Sequence, residues 1–354
     1  MTISKKYLIT GGCGFIGSCL VRNLLKKGEI VINIDKLTYA SNKDSVGEEN
    51  LDNYRLIDSD INTPNLISKI LKETKPNYII HLAAESHVDR SIDKPDDFIN
   101  SNILGTYNML KSSYEYWIQL EDTIKNQFRF IYVSTDEVYG SIDDLEKTFD
   151  EKSPIKPNSP YAASKASGDL LTRAWFKTYN LPTIITNSSN NYGIWQFPEK
   201  LIPLVLKKCL KNEKIPIYGN GEQIRDWINV EDNTEGILEV LKKGKIGSNY
   251  NIGSGNEISN IELVKLICTI IQKFEPKTSG FYHDLIDFVD DRPAHDFRYA
   301  LNTKKINVEI GWKPKILFKD GLAETIRWYL NNKSWLFNEV EERYSGQRLG
   351  KIET

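Results

Sequence analysis

Thr10-Gly11-Gly12-Cys13-Gly14-Phe15-Ile16-Gly17 stands between an apolar run, Tyr7-Leu8-Ile9-Thr10, and a segment of helical periodicity from Phe15 to Lys27. In that segment Ile16, Leu20, Leu24 and Leu25 make one apolar stripe, and Gly28 ends it. Gly12, Gly14 and Gly17 fit G-x-G-x-x-G; Gly11, Gly14 and Gly17 fit the related G-x-x-G-x-x-G. Such glycines permit a tight turn, close approach of a pyrophosphate and close packing of helix on strand. The helix N-terminus offers free N–H groups and a partial positive charge to phosphates. The next run, Ile30-Val31-Ile32-Asn33-Ile34-Asp35, is a β-branched strand whose last residue lies 18 positions after Gly17. An acid there binds the two hydroxyls of an adenosine ribose and repels a 2′-phosphate, so NAD is expected rather than NADP. A glycine turn beside a merely solvated Asp is the alternative, and the strand–turn–helix–strand context weighs against it.

Outward from this unit the first half keeps alternating. Tyr54–Ile57 reads as a strand, Leu66–Leu71 as a short helix, and Tyr78–Leu82 as a buried strand. A long helix from about Asp96 to Trp117 follows, then a strand Phe130–Val133, a helix Tyr161–Tyr179 and a strand Thr183–Thr186. The expected fold is α/β: a Rossmann-type doubly wound parallel sheet with a smaller mixed α/β substrate-binding domain. We place the NAD-binding domain at 1–192, completed by a segment near 226–250, and the smaller mixed domain mainly at 193–354. Late helices are expected over Asn260–Phe274 and Asp320–Leu330. The polar tail from Asn338 to Thr354 is expected to be partly disordered.

Composition narrows the function classes. The chain has 354 residues, with 46 Lys plus Arg against 48 Asp plus Glu, a formal charge of −2. That balance disfavours a bulk nucleic-acid or anionic-membrane partner. No apolar run approaches the ~18 residues of a membrane span, and no leader pattern opens the chain, so a cytoplasmic protein is expected. Cys13, Cys19, Cys209 and Cys268 are too few for a disulfide framework and form no C-x-x-C. Cys19 reads as a packing residue. His81, His87, His283 and His295 make no metal-ligand pattern, and no metal is expected. His81 reads as a hydrogen-bonded core residue, and His87 and His295 as candidates to reach phosphate.

Tyr161-Ala162-Ala163-Ser164-Lys165 follows Ser159-Pro160 and opens a helix, so Tyr161 and Lys165 share one face. A lysine near a phenol stabilises the phenolate, which then removes a proton from an alcohol as hydride leaves the carbon. With the glycine turn and the strand ending in Ser134-Thr135, the chain resembles an extended short-chain dehydrogenase/reductase acting on a nucleotide sugar.

Ser134-Thr135-Asp136-Glu137-Val138-Tyr139-Gly140 follows the fifth long strand, at the edge where open α/β sheets place ligands. Two adjacent carboxyl groups there are costly unless neutral, paired or used. Sugar oxidation or 4-epimerisation needs no further acid and base. Loss of water across C5 and C6 does: one group takes the C5 proton and another protonates the departing C6 hydroxyl, and Asp136 with Glu137 supplies such a pair. Epimerases of this kind generally carry small hydroxyl residues at these places.

The wider resemblance is to the dTDP-glucose 4,6-dehydratase family and covers nearly the whole chain. It rests on Thr10–Gly17, Asp35–Ala40, His81–Ser91, Ser134–Gly140, Tyr161–Lys165, Ser189–Gly193, Phe197–Pro203 and Gln223–Trp227. It implies an NAD site lined by Gly11, Gly12, Gly14, Phe15, Ile16, Gly17, Asp35, Lys36, Leu37, Thr38, Asp60, Ile61, Leu82, Ala83, Ala84, Glu85, Ser86, Ser101 and Asn191, beside Tyr161 and Lys165. Thr135 would bond the sugar near O4. Ser86, His87, Asn190, Lys200, Leu201, Pro216, Ile217, Tyr218, Arg225, Asn260, Asp291, Arg292 and His295 would hold the nucleotide diphosphate sugar, with Asp136 and Glu137 at its reacting end.

The resemblance further implies a homodimer, in which helices near 98–117 and 161–178 pair across a two-fold axis. The aromatics of Glu115–Trp117 and Trp175-Phe176 read as core or dimer contacts. The expected reaction is dehydration of dTDP-glucose to the 4-keto-6-deoxy sugar nucleotide, a step toward rhamnose-type deoxysugars. UDP- or CDP-glucose is the alternative substrate. A UDP-sugar 4-epimerase or decarboxylase, and a non-catalytic NAD-binding regulator, are the rival readings. Two departures bear on selectivity: Ile194-Trp195 stands where the family has Pro-Tyr, and Ala294 where it has Gly.

Overall fold

The computed structural model describes residues 4–47, 52–339 and 349–350; most of the expected polar tail lies outside them. Strand β1 (Lys6–Thr10) leads through the glycine turn into α1 (Phe15–Lys26), β2 (Ile30–Asp35) and β3 (Tyr54–Asp58). Then come α2 (Leu66–Thr74), β4 (Tyr78–His81), α3 (Val88–Asp93) and α4 (Pro95–Phe98). Residues Ile99–Leu104 continue α4 as a π-helical stretch that runs into α5 (Gly105–Trp117). The helix expected from 96 to 117 is therefore wider in its first third, and π turns of this kind cluster at functional sites.

After α6 (Asp122–Lys125) come β5 (Arg129–Thr135), α7 (Pro160–Tyr179) and β6 (Thr183–Ser188). The chain then crosses to β7 (Asn190–Tyr192), α8 (Leu201–Leu210), β8 (Ile215–Tyr218) and β9 (Ile224–Asn229). It returns through α9 (Val230–Lys243) and β10 (Asn249–Ile252), and goes out again as β11 (Glu257–Ser259), α10 (Asn260–Phe274) and β12 (Ile286–Val289). The last helices are α11 (Lys304–Ile310) and α12 (Phe318–Asn331).

Seven strands form one sheet in the order β10-β6-β5-β4-β1-β2-β3, every neighbouring pair parallel. The order reverses at β1 and β4, so the carboxyl ends of these strands open a crevice. The strands are near-continuous in apolarity because both faces are covered. On one face Leu20, Leu24, Ile237, Val240 and Trp312 pack against Ile9, Ile131 and Ile184. On the other, Ile67, Leu71, Met109 and Leu110 pack against Leu8, Ile79 and Phe130.

A second core, with Ile202, Leu206, Trp227, Val264, Ile267 and Tyr329, holds α8, α10, α12 and the strands beside them. It carries a three-stranded sheet β11-β9-β7 and a two-stranded sheet β12-β8. The start of α10 is fixed by a reciprocal cap between Ser259 and Glu262. Trp195 belongs to this core: its ring lies 4.8 Å from that of Trp328 and 5.4 Å from that of Trp335.

Candidate active site

One cleft of about 680 Å³ lies over the carboxyl ends of the large sheet and reaches the second core. It has the size of a substrate or cofactor site. Its sheet end is shaped by glycine. Gly11 has φ +73°, and a Cβ there would lie 2.8 Å from the Ala83 backbone. A Cβ on Gly17 would stand 2.1 Å from the Gly11 carbonyl oxygen. The turn is thus pressed onto the segment after β4, and any side chain would separate them. Helix α1 begins at Gly14 with no side-chain cap and no acidic residue in its first turn. Its free N–H groups belong to Phe15, Ile16 and Gly17, which line the cleft and suit an anion.

Asp35 closes this end. Its Oδ2 accepts from the Cys13 amide at 2.9 Å, and its Oδ1 from the Leu37 amide and the Ser41 hydroxyl, both at 2.9 Å. The carboxylate is buried yet lines the cleft. Lys36 donates to the Ser101 hydroxyl at 2.9 Å and stands 3.5 Å from Glu85. The glycine cradle, uncapped helix and fixed carboxylate fit a dinucleotide.

Helix α7 is started by Ser159, whose hydroxyl accepts from the Ala162 amide, with Pro160 in its first turn. This aims Tyr161 and Lys165 into the cleft, both buried. The sequence predicts that Lys165 lowers the Tyr161 phenol. The structure differs: burial and the charge of Glu137 hold the phenol well above its usual range, against a hydrogen bond with Thr135. The Lys165 ammonium donates to the Val133 carbonyl at 2.7 Å and lies over the Tyr132 ring at 4.3 Å. Burial brings Lys165 down to about 8, with Asp169 opposing.

Asp136 and Glu137 form a short 3-10 turn after β5, capped by the Thr135 hydroxyl, which accepts from the Glu137 amide at 3.3 Å. The same hydroxyl donates to Asp136 Oδ1 at 3.1 Å. Asp136 Oδ2 is buried without a partner among the described residues. Burial, Glu137 and Asp226 raise the Asp136 carboxyl well above its ordinary range, which favours its protonated form. Burial also raises Glu137, but Arg292, Arg225 and Lys200 oppose it. One environment thus favours an acid and its neighbour a base, the separation that acid–base catalysis needs.

The second core faces the sugar-nucleotide end. Lys200 donates to the Ser86 carbonyl at 2.8 Å. Arg225 is buried, bonded to the Asp296 carbonyl at 2.9 Å and stacked on the Tyr299 ring at 4.3 Å. Arg292 pairs with Asp89, which also accepts from the Tyr218 hydroxyl at 3.1 Å. His295 bonds Asp291 at 2.6 Å, and burial lowers it to about 4. Burial likewise lowers His87 to about 4. Both histidines line the cleft. His81 is a core residue between the Thr10 and Thr106 hydroxyls. No metal-binding group occurs among the described residues.

Almost all predicted site residues line this one cleft: Gly11, Gly14, Phe15, Ile16, Gly17, Asp35, Lys36, Thr38, Asp60, Ile61, Leu82 to His87, Ser101, Thr135, Asp136, Glu137, Tyr161 and Lys165 on the sheet side. On the other side stand Asn190, Asn191, Lys200, Leu201, Pro216, Ile217, Tyr218, Arg225, Asn260, Arg292 and His295. Three do not line it. Gly12 packs on Asn33, whose Oδ1 accepts its amide at 2.9 Å; Leu37 packs against the core; Asp291 holds His295 and Gln223. Ile194, Trp195 and Ala294, the departures from the family pattern, are not among the lining residues either.

Sequence reasoning missed several positions. Asn102, in the π stretch, accepts from the Glu85 amide at 2.8 Å and donates to the Ser164 hydroxyl at 2.8 Å, tying the cofactor end to α7. Glu199 accepts from Tyr39 and Arg90 at 2.9 and 2.8 Å, and Arg90 stacks on the Tyr39 ring. Glu199 and Asp89 sit inside matched words, so position alone was the available signal. Leu349 lines the cleft from a tail without any motif.

The family model described as GDP-mannose 4,6 dehydratase matches residues 8–325. The chain is 48% identical over 361 residues to a dTDP-glucose 4,6-dehydratase of Escherichia coli, covering 98% of this chain and all of the relative. Among solved structures it is similar to a dTDP-glucose 4,6-dehydratase of Streptomyces venezuelae with NAD bound. The TM-score is 0.86 and the identity 40%, over 94% of this chain and 99% of that one. The enzyme of the same name from Bacillus anthracis, in complex with NAD, gives a TM-score of 0.82 and 40% identity, over 94% and 98% of the two chains.

Proposed function

Because the chain belongs to the dTDP-glucose 4,6-dehydratase family, we propose that it is an NAD-dependent hydro-lyase converting dTDP-glucose to dTDP-4-keto-6-deoxyglucose. The observation that carries the reading is two adjacent buried carboxyl groups, Asp136 and a Glu137 opposed by cations, in one cleft with Tyr161 and a dinucleotide cradle. A 4-epimerase on this fold has no use for such a pair.

Gly11, Gly14, Gly17, the α1 N-terminus and Asp35 would hold NAD. When bound, NAD supplies a reversible hydride acceptor that the net reaction leaves unchanged, and its oxidised ring brings a positive charge that favours the Tyr161 phenolate. Tyr161 takes the proton from the C4 hydroxyl, and Thr135 orients that oxygen. The resulting 4-keto group acidifies C5, since the carbanion is delocalised as an enolate. Glu137 removes the C5 proton. Asp136 gives its proton to the C6 hydroxyl, which leaves as water. Glu137 then reprotonates C5. Over one turnover Tyr161 gains a proton and Asp136 loses one. Thr135 bonds both and offers the path that resets them. Arg225, Lys200 and Arg292 supply positive charge for the diphosphate; an Arg fork suits two phosphate oxygens.

In this reading residues 1–192, with a segment near 226–250, serve NAD, and the rest of 193–354 mainly serves the sugar nucleotide. The placement of α9 and β10 on the large sheet supports that division. A homodimer through α5 and α7 is supported by the half-exposed Leu104, Tyr107, Leu170 and Tyr179 on neighbouring helices. No helix of the described residues is long and apolar enough to cross a membrane, which accords with a cytoplasmic enzyme.

The test is incubation of the protein with dTDP-, UDP-, CDP- and GDP-glucose. The expected result is loss of one water from the dTDP sugar, read by mass spectrometry, with the other three at least tenfold slower in kcat/KM. Rapid dehydration of UDP- or CDP-glucose with dTDP-glucose untouched would move the base assignment.

A further inference from the structure

Helix α3 touches the cleft at one end and the tail of the chain at the other. At its start, Asp89 is buried and lines the cleft. Its carboxylate receives the Arg292 guanidinium and the Tyr218 hydroxyl, two groups reaching in from the second core. Burial alone would raise this carboxyl, but the Arg292 guanidinium and the Tyr218 hydroxyl hold it below its usual range. Asp89 therefore stays charged and fixes Arg292 in one orientation. At the other end of α3, Asp93 is exposed and its two carboxylate oxygens accept the Gly350 amide at 3.1 and 3.0 Å.

Gly350 itself is buried against the back of Asp89. It has φ +73°, and a Cβ on it would lie 3.1 Å from the Asp89 Cβ. Only glycine takes this backbone conformation at that closeness without displacing Asp89. The preceding residue, Leu349, packs on the second core and lines the same cleft as Lys200, Tyr218 and Arg225. The contact is thus double: Leu349 supplies apolar wall, and Gly350 abuts the carboxylate that orients a guanidinium.

We propose that the Leu349-Gly350 step is part of the sugar-nucleotide site, Leu349 as an apolar binding residue and Gly350 as a positioning residue acting through Asp89 on Arg292. This rests on the dehydratase reading for the identity of the nucleotide. The ligand class follows from the groups gathered: cations for a diphosphate, apolar wall for a nucleoside. The step lies away from Asp136, Glu137 and Tyr161 in chemistry, so it bears on binding and not on the bond changes.

The experiment compares Leu349→Ala, Leu349→Met, Gly350→Val and Asp93→Ala in the full chain with the unsubstituted protein. KM and kcat are measured with dTDP-glucose, the affinity for dTDP by calorimetry, and NAD content by absorbance. Leu349→Ala and Gly350→Val should each raise KM and the Kd of dTDP about tenfold, the scale of one lost buried side chain. Their kcat should stay within about twofold and their NAD content unchanged. Leu349→Met should restore most of the affinity. Asp93→Ala removes only an exposed acceptor, so its fold is secure, and it should raise KM several-fold.

Unchanged KM and dTDP affinity in Leu349→Ala and Asp93→Ala would overturn the proposal. A fall in kcat, NAD content and melting temperature in step, with KM unmoved, would overturn it as well, since that marks a purely structural contact. Failure of the unsubstituted protein to dehydrate dTDP-glucose would instead count against the proposed function, and the dTDP affinities would still decide the role of the tail.

Discussion

Tyr161→Phe should all but abolish the oxidation that begins the proposed cycle. Removing the phenolic oxygen leaves ring packing intact: Tyr161 is buried with Val88 and Phe98, whose ring it meets edge-on at 6.2 Å. What is lost is the base assigned to the C4 hydroxyl that Thr135 orients. General-base removal costs about 10²–10⁴ in rate, so kcat should fall by about 10³ with no 4-keto sugar in quenched samples. KM should change little, because the phenol acts on the reacting atoms and not on the diphosphate. The phenol is raised by burial and by Glu137. Activity should therefore decline as pH falls, and Glu137→Gln should ease ionisation of Tyr161 even as it blocks C5 deprotonation. A Tyr161→Phe enzyme within tenfold of the original would assign the proton to another group.

Asp136→Asn should stop the proposed cycle later. Tyr161 and Glu137 are intact, so C4 is still oxidised and the C5 proton still exchanges. Only the proton for the C6 hydroxyl is missing. Turnover should fall by about 10²–10³. In D₂O, recovered dTDP-glucose should carry solvent deuterium at C5, and borodeuteride quenching should trap a 4-keto hexose nucleotide. Glu137→Gln should show the trapped ketone without C5 exchange. Loss of C5 exchange in Asp136→Asn, with exchange retained in Glu137→Gln, would swap the two roles.

The same substitution should stabilise the fold. Asp136 has a raised carboxyl in the folded state, so its stability contribution is present below the unfolded carboxylate range and is lost as pH rises toward the folded value. Asn carries no such loss. The variant should melt higher than the unsubstituted protein at neutral pH, and the gap should close as pH is lowered. An active site that is less stable than its isostere is the usual exchange of stability for activity.

Much of this was legible in the chain because the informative residues are local. The glycine turn, Asp35, and the Tyr161–Lys165 spacing each fall within one element or one junction, and their chemistry follows from residue type. The acid pair is adjacent in sequence, so its two carboxyl groups could be placed together without coordinates. What escaped depends on long-range placement. The ammonium of Lys165 bonds the Val133 carbonyl, 32 positions away in sequence, and spacing on α7 does not reveal that. The π stretch at Ile99–Leu104 looks like ordinary helix in composition, yet it sets Asn102 against Glu85 and Ser164. Asp89 and Arg292 are 203 positions apart. Ile194-Trp195 seemed to alter the substrate side, but Trp195 faces Trp328 and Trp335. A resemblance can mark a departure; only packing tells which way the side chain points.

The central claim is that oxidation at C4, loss of water and reduction at C6 occur on one sugar in one closed site. It is tested most directly by turning over dTDP-glucose deuterated at C4 together with unlabelled substrate in ordinary water, and reading the product by NMR and mass spectrometry. The account predicts that the deuterium reappears at C6 of the same molecule, with no label passing to unlabelled sugars. Deuterium returned to C4, as in an epimerase, or released on free cofactor, as in a simple dehydrogenase, would contradict it.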